Sequence, residues 1–347
     1  MRDDQSPRGA ADSGARDRAE PREIRSAPPA LPDVAAMRRW LRSDAIVRAD
    51  GAVLSWANPQ RPGYGYPEAA GLYLSLASAA SSRCDEDSAT LDRVAAWLCT
   101  TIDAAGGVGR DGISYLFDSA VALVGLLRYR AAGGKAAVEE PIHRLRRFIA
   151  AQIGAGAGVV PVAAVADGRW STQFGAHLVK CLHGMHLYAL AFGERLPDEQ
   201  LTALINRSGQ QPSPIYMHPF CYEQEGHVVV AHYGLAGLFE PVDGALDLLS
   251  ALQQADGSIL AFANGMDGFG EPRTDATAQA VRLWVLRDRQ RYSAEIARAL
   301  AFLAAAQSPQ GGIRYTPERD DICSWSTMFT VQAVEWFLHG PRLDELL

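Results

Sequence analysis

The stretch from His218 to Glu225 has the residue types and the spacing of a chemical site. Residues three and four apart lie above one another on a helix, so their side chains share one face. Over this stretch that face carries His218, Cys221, Tyr222 and Glu225. Burying such groups is costly unless they are paired or face a wet cavity. The face therefore indicates either a functional site or a paired cluster for His218 and Glu225, whereas Cys221 is typical of a small core residue.

Polar side chains also stand at the start of five other helical segments that are rich in small residues. These segments recur about every fifty residues, each after a glycine-containing turn, which is the mark of a repeat architecture. An aspartate or glutamate in a first helical turn has an ordinary structural explanation as a cap or dipole partner. The prediction of a site therefore depends on all these side chains lying together in the folded protein. They are Tyr66, Glu68, Asp118, His177, Arg273, Asp275, Asp321 and Cys323.

More amphipathic stretches precede these segments, with apolar residues at three-to-four spacing. Paired with the small-residue segments, they predict an all-α fold, an (α/α)6 toroid of six helical hairpins with an inner and an outer ring. An irregular helical solenoid is the alternative. In a toroid the inner helices begin at one end of the ring, so their first residues meet in one funnel. The predicted outer helices lie around 33–44, 86–103, 138–153, 197–206, 241–254 and 292–306.

Composition predicts one domain from 32 to 347 after a disordered tail over 1–31, which is polar and almost free of aliphatic residues. No apolar leader and no long uncharged apolar stretch occurs, which predicts a cytoplasmic protein without a membrane span. A net charge of -7 without a basic stripe argues against nucleic acid as a partner. The five scattered cysteines suit reduced thiols, and the sequence leaves the oligomeric state open.

Aromatic residues stand beside charged ones in and around the turns that precede the predicted inner helices. Such rings can stack on the CH faces of a sugar, although they would equally line an isoprenoid pocket. The arginines suit an anionic group such as a uronate or a phosphate. The expected partner is thus a small-molecule substrate, and the predicted substrate-binding residues are Tyr66, Glu68, Arg110, Trp170, Arg273, Arg314 and Trp325.

The turns over 253–258 and 307–313 resemble the Gln-x-x-x-Gly-Gly repeats of the α/α toroid superfamily. That superfamily includes terpenoid cyclases and protein prenyltransferases, and six-hairpin glycosidases, uronyl hydrolases and sugar epimerases share its architecture. The resemblance covers most of 35–340. It implies the fold more specifically than the function, because this fold hosts unrelated chemistries.

The sugar-directed proteins of this architecture use scattered polar residues on the inner helices, and this chain is similar to them. The leading hypothesis is an enzyme that acts on a sugar or a sugar-like polyol acid by general acid-base chemistry, without a cofactor. An epimerase or lyase would use His218 or Tyr222 as the base, with His177 or Asp118 as the acid. A hydrolase would instead draw two carboxylates from Asp118, Glu225 and Asp275.

Two other hypotheses stay open. The Asp321-Ile322-Cys323 segment is similar to the Asp-x-Cys zinc pair of prenyltransferases, with His218 or His177 as a possible third ligand. That resemblance implies an isoprenoid enzyme with zinc. The other hypothesis is a non-catalytic toroid that binds a peptide or a glycan.

Overall fold

The computed structural model describes residues 30–79, 87–156, 159–160, 172, 175–207, 213–234 and 242–347. Helices dominate this part of the chain. In order they are α1 (Val34–Leu41), α2 (Pro67–Ala77), α3 (Ser88–Thr100), α4 (Leu116–Ala131), α5 (Glu139–Ala155), α6 (Cys181–Phe192), α7 (Asp198–Arg207), α8 (Met217–His232), α9 (Val242–Leu252), α10 (Thr274–Asp288), α11 (Ser293–Ala306) and α12 (Ser324–His339). A 3₁₀ turn, Ala176–Lys180, leads into α6.

The even-numbered helices form a closed inner ring. Helix α2 contacts α4, α4 contacts α6, and the series continues through α8 and α10 to α12, which contacts α2 again. The odd-numbered helices pack outside, with α1 on α12, α5 on α4 and α11 on α10. This closure confirms the predicted (α/α)6 toroid and excludes an open solenoid.

The inner helices approach each other so closely that glycine is required at their crossing. Gly71 of α2 and Gly125 of α4 face each other, and a Cβ on Gly125 would lie 2.7 Å from the Cα of Gly71. Real Cβ atoms do not come this near to a neighbouring backbone, so any side chain here would force the two helices apart.

The first prediction concerns this crossing. We expect Gly125→Ala to lower the free energy of unfolding by about 1–3 kcal/mol, the usual cost of overpacking a core. Gly244 in α9 is a matched control because a Cβ there meets nothing within 4 Å. Gly244→Ala is expected to raise stability slightly, since alanine favours a helix over glycine by about 0.5–1 kcal/mol. Equal effects of the two substitutions in urea unfolding would contradict this close packing.

Short antiparallel strands, which the sequence analysis treated as turns, wall the end of the ring where the inner helices begin. Within the described ranges they form three sheets of three strands each, in the orders β1-β9-β8, β2-β3-β4 and β5-β6-β7. Strands β3, β5, β7 and β9 each run directly into an inner helix. The strands are β1 (Trp56–Ala57), β2 (Val108–Arg110), β3 (Ile113–Tyr115), β4 (Val159–Val160), β5 (Ile215–Tyr216), β6 (Ile259–Asn264), β7 (Asp267–Arg273), β8 (Ile313–Arg314) and β9 (Ile322–Cys323).

Some predictions concern residues outside the described part of the chain. These are the disordered tail, of which 1–29 are not described, and the substrate-binding role of Trp170. Among the described helices, none has the length and apolar character needed to cross a membrane. The described cysteines, Cys99, Cys181, Cys221 and Cys323, are free thiols.

Candidate active site

A cavity of about 100 Å³ lies where the inner helices begin. Its ionisable lining comes from the first turns of three inner helices and the strand ends before them. Tyrosine and tryptophan rings form the rest of the wall. The structure thus brings six of the predicted site residues into one place, namely Tyr66, Glu68, His218, Arg273, Asp275 and Trp325, and it adds Tyr64, Tyr216 and Tyr315.

Asp275 is fully buried and fully occupied by donors. Arg273 donates from Nε to Oδ1 at 3.0 Å and from Nη2 to Oδ2 at 2.5 Å. The backbone N–H of Ala276 and the indole N–H of Trp325 donate to the same carboxylate, at 2.8 and 3.1 Å. Burial alone would raise the pKa of Asp275, but the charge of Arg273 and these hydrogen bonds lower it to about 2. This carboxylate therefore orients its neighbours, which fits its predicted catalytic role poorly.

Arg273 is a fixed cation in the wall of the cavity. Its guanidinium carbon lies 4.1 Å from the ring centre of Tyr315 and 5.3 Å from that of Tyr216. Arg273 also donates to the hydroxyl of Tyr216. The carboxylate of Asp275 outweighs the effect of burial and raises the arginine's pKa, so the guanidinium stays charged. It can bind a carboxylate, a carbonyl oxygen or a hydroxyl of a substrate.

His218 enters the cavity from the first turn of α8 as a neutral imidazole. Burial lowers its pKa even though Asp275, 3.7 Å from Nδ1, acts in the opposite direction. Its Nδ1 lies 2.6 Å from Oε1 of Gln279, a fully buried residue of α10. An amide oxygen can only accept, so Nδ1 carries the proton and Nε2 is the basic nitrogen. Gln279 is not among the site residues predicted from the sequence.

The second prediction is that His218 populates the Nδ1–H tautomer at neutral pH. Nitrogen-15 chemical shifts of the imidazole report the tautomer directly and need no substrate. Gln279→Met, which keeps the length of the side chain but removes the acceptor, is expected to shift the tautomer population toward Nε2–H. A dominant Nε2–H form in the unsubstituted protein would contradict the assignment.

Glu68 lines the cavity from α2, which stands opposite α8 in the ring. Its carboxyl accepts from the hydroxyl of Tyr66 and, at 3.1 Å, from that of Tyr222, which reaches across the ring from α8. Burial raises the pKa of Glu68, and burial together with the charge of Glu68 holds the pKa of Asp118 well above its usual range. These environments favour protonated carboxyls, which can donate a proton.

Glu225 does not line this cavity but forms a buried ion cluster with one cation from the 3₁₀ turn before α6 and one from α10. Lys180 and Arg282 each donate to its carboxylate. Arg282 also donates to Oε1 of Gln332 at 2.9 Å. The side chains of Glu225 and Arg282 are fully buried, and that of Lys180 is 5% exposed. The predicted catalytic role of Glu225 is therefore poorly supported, because both carboxylate oxygens are engaged in ion pairs.

The remaining predicted residues lie around the cavity without lining it. His177 packs against Phe117, with ring centres 5.8 Å apart, and burial, with a smaller effect of the nearby imidazole of His218, lowers its pKa to about 3. Arg110 lies over the ring of Tyr64 at 4.4 Å and pairs with Asp111. Arg314 lines a different cavity, and the hydroxyl of Tyr222 donates to the carboxyl of Glu68.

The described residues do not assemble the zinc site of the isoprenoid hypothesis. Asp321 accepts from Nδ2 of Asn58 at 2.7 Å and pairs with Arg61. The buried sulfur of Cys323 accepts from the backbone N–H of Ser326 at 3.5 Å and so caps α12. Nowhere in the described ranges do three His, Cys, Asp or Glu side chains lie together as ligands for a metal ion. Asp321 and Cys323 thus do not fit the zinc hypothesis.

No protein-family model and no curated protein matches the chain, whereas solved structures match it along most of its length. A cellobiose 2-epimerase from Spirochaeta thermophila DSM 6192 aligns with a TM-score of 0.61 at 13% identity, over 88% of this chain and 96% of that one. An unsaturated glucuronyl hydrolase specific for heparin gives 0.60 at 13% identity, over 89% and 96%. A type II terpene cyclase from Scytonema gives 0.54 at 15% identity, over 86% and 94%. At these identities the likeness shows the shared α/α toroid fold.

Proposed function

We propose that this protein is an enzyme that moves protons on a sugar or sugar acid, as an epimerase or a lyase does. One observation carries the proposal. The neutral imidazole of His218 and the carboxyl of Glu68 line the same cavity from inner helices on opposite sides of the ring. A base on one face of a substrate and an acid on the other are what such a reaction requires.

The walls of the cavity support a sugar as the substrate. Five aromatic side chains line it beside Arg273, so the CH face of a sugar ring that enters the cavity in part can stack while its hydroxyls find polar partners. Two of the structural neighbours are, by name, a cellobiose epimerase and a glucuronyl hydrolase. The aromatic lining is formed by Tyr64, Tyr66, Tyr216, Tyr315 and Trp325.

The roles follow from the hydrogen bonds. His218 takes a proton from the carbon next to a carbonyl through Nε2, since Gln279 holds the proton on Nδ1. Arg273 stabilises the negative charge that develops on the carbonyl oxygen, and its orientation is fixed before the substrate arrives. Glu68 delivers a proton to the opposite face, and the hydroxyls of Tyr66 and Tyr222 hold its carboxyl in place.

Glycoside hydrolysis is the second candidate, and the pair Glu68 and Asp118 favours it. Both carboxyls are buried at the beginning of neighbouring inner helices; burial raises the pKa of each, and the charge of Glu68 raises that of Asp118 further. A hydrolase needs one protonated and one ionised carboxyl on either side of the bond. The sequence suggested three carboxylates for hydrolysis. Asp275 and Glu225 each form ion pairs with an arginine, whereas Asp118 forms no ion pair with a described residue.

Proton NMR of a substrate panel tests the proposal. The panel contains reducing monosaccharides, reducing disaccharides and uronate-containing disaccharides. The expected result is a new stereoisomer, or an unsaturated sugar, from at least one member. Release of two monosaccharides with unchanged configuration elsewhere would support hydrolysis instead. A panel on which the folded protein has no effect would contradict the proposal.

A further inference from the structure

A second cavity, of about 660 Å³, lies near the beginning of α12 but does not share a lining residue with the candidate active site. Its volume is within the range of about 300–1,000 Å³ that is typical of small-molecule sites. Helix α1, the strand β1 and the turn over 308–310 surround it.

The sheet β1-β9-β8 separates the two cavities. Ala57, Ile322 and Arg314 are direct cross-strand partners, so their side chains share one face, and all three line the second cavity. The next residue along the chain, Tyr315, lines the candidate active site instead. The second cavity is therefore a separate site on the other side of this sheet.

The lining of the second cavity carries two arginines, one carboxylate, that of Asp320, and several uncharged hydrogen-bonding groups. Arg39 and Arg314 both line it, and neither forms an ion pair within the described ranges. Ser308 is 5% exposed, and its hydroxyl finds no hydrogen-bond partner among the described residues. A buried hydroxyl left in this state is costly, which points to a polar ligand that completes it.

We propose that this cavity binds an anionic, hydroxyl-bearing small molecule of the sugar-acid or sugar-phosphate kind. Arg39 and Arg314 bind the carboxylate or phosphate, and Ser308 bonds to a hydroxyl. The buried indole of Trp40 and the side chain of Ile322 supply an apolar surface for the carbon skeleton. The inference does not depend on the reaction proposed for the candidate active site.

Isothermal titration at low ionic strength with glucuronate, glucose 6-phosphate and glucose tests the inference. We expect both anions to bind at least about tenfold more tightly than glucose, because charge-assisted bonds to guanidinium groups dominate. The double variant Arg39→Gln/Arg314→Gln is expected to lose this advantage. Arg48→Gln, which removes an exposed arginine that pairs with Asp50 and does not line the cavity, is expected to keep it.

Two further variants separate this site from the candidate active site and from general charge. Ser308→Ala is expected to weaken binding of both anions several-fold, while His218→Ala is expected to leave it unchanged. An equal affinity for glucose and the anions, anion binding that survives loss of both arginines, or no anion binding in the millimolar range would each overturn the proposal. Loss of binding in His218→Ala alone would also overturn it, because the ligand would then occupy the other cavity.

Discussion

His218→Ala is expected to lower kcat/KM by about 10²- to 10⁴-fold on the substrate that the panel identifies, which is the usual contribution of a general base. The imidazole also packs against Tyr222 and contacts Gln279, so urea unfolding of the variant is measured beside kcat/KM to separate loss of the base from loss of structure. His339→Ala is the matched control, since His339 lies exposed at the end of α12. An unchanged kcat/KM in His218→Ala would remove this residue from the mechanism.

The pH dependence of kcat/KM gives a second readout for the same pair. The reaction requires neutral His218, whose pKa is lowered by burial, and protonated Glu68, whose pKa is raised by burial. The rate should therefore fall on the acid side, at a pH below 6.5, when His218 gains a proton. It should fall on the basic side, above 4.5, when Glu68 loses one. The basic limb is expected to disappear in Glu68→Gln, while the rate itself falls.

Glu225→Ala is expected to cause the largest loss of stability in this protein. The substitution leaves Lys180 and Arg282 buried without their shared counter-charge. Breaking a buried ion pair in this way typically costs about 3–5 kcal/mol, because an uncompensated charge stays in a medium of low polarity. Glu225→Gln keeps the shape and some hydrogen bonds, and we expect an intermediate loss.

The exposed pair of Asp243 and Arg287 provides the contrast. These residues link α9 to α10 with two hydrogen bonds, at 2.6 and 2.8 Å, but both side chains are substantially solvated. Asp243→Ala is expected to cost less than about 1 kcal/mol, as exposed ion pairs usually do. Urea unfolding of the two variants side by side is the measurement. Equal losses would contradict a supporting role for the buried cluster.

The sequence predicts the ring because helix periodicity and residue size can both be read directly from the order of the residues. Close crossing of α2 and α4 requires small residues such as Gly71 and Gly125, and the repeat of such segments indicates six equivalent positions. Polar residues at the helix starts then meet because of the symmetry of the fold. This is why Glu68, His218 and Arg273, far apart in the chain, are correctly expected near one another.

The sequence shows which residues share a helical face, but it does not show how far each of them lies from the cavity at the start of the helix. Glu225 shares a face with His218, but seven residues along a helix advance about 10 Å, which takes its carboxylate below the cavity. The partners that decide its role, Lys180 and Arg282, come from other helices and were not selected as site residues.

The aromatic residues that the sequence analysis missed had a usable signal. Tyr64 precedes Tyr66 by two residues, and Tyr216 precedes His218 by two, so extended backbone places each pair on one side. Treating these segments as turns concealed that period. Gln279 had no such signal, because its role depends on a contact between α8 and α10 that sequence spacing does not encode.

The most direct test of the central claim is exchange of the substrate's acidic hydrogen with deuterium from solvent, followed by proton NMR beside product formation. In the unsubstituted protein both should occur. Glu68→Gln is expected to retain exchange, since His218 still removes and returns the proton, while product formation falls by about 100-fold or more. His218→Ala should lose both. An epimerised product that forms without any deuterium, or exchange that proceeds normally in His218→Ala, would contradict a base and an acid acting from opposite sides of the ring.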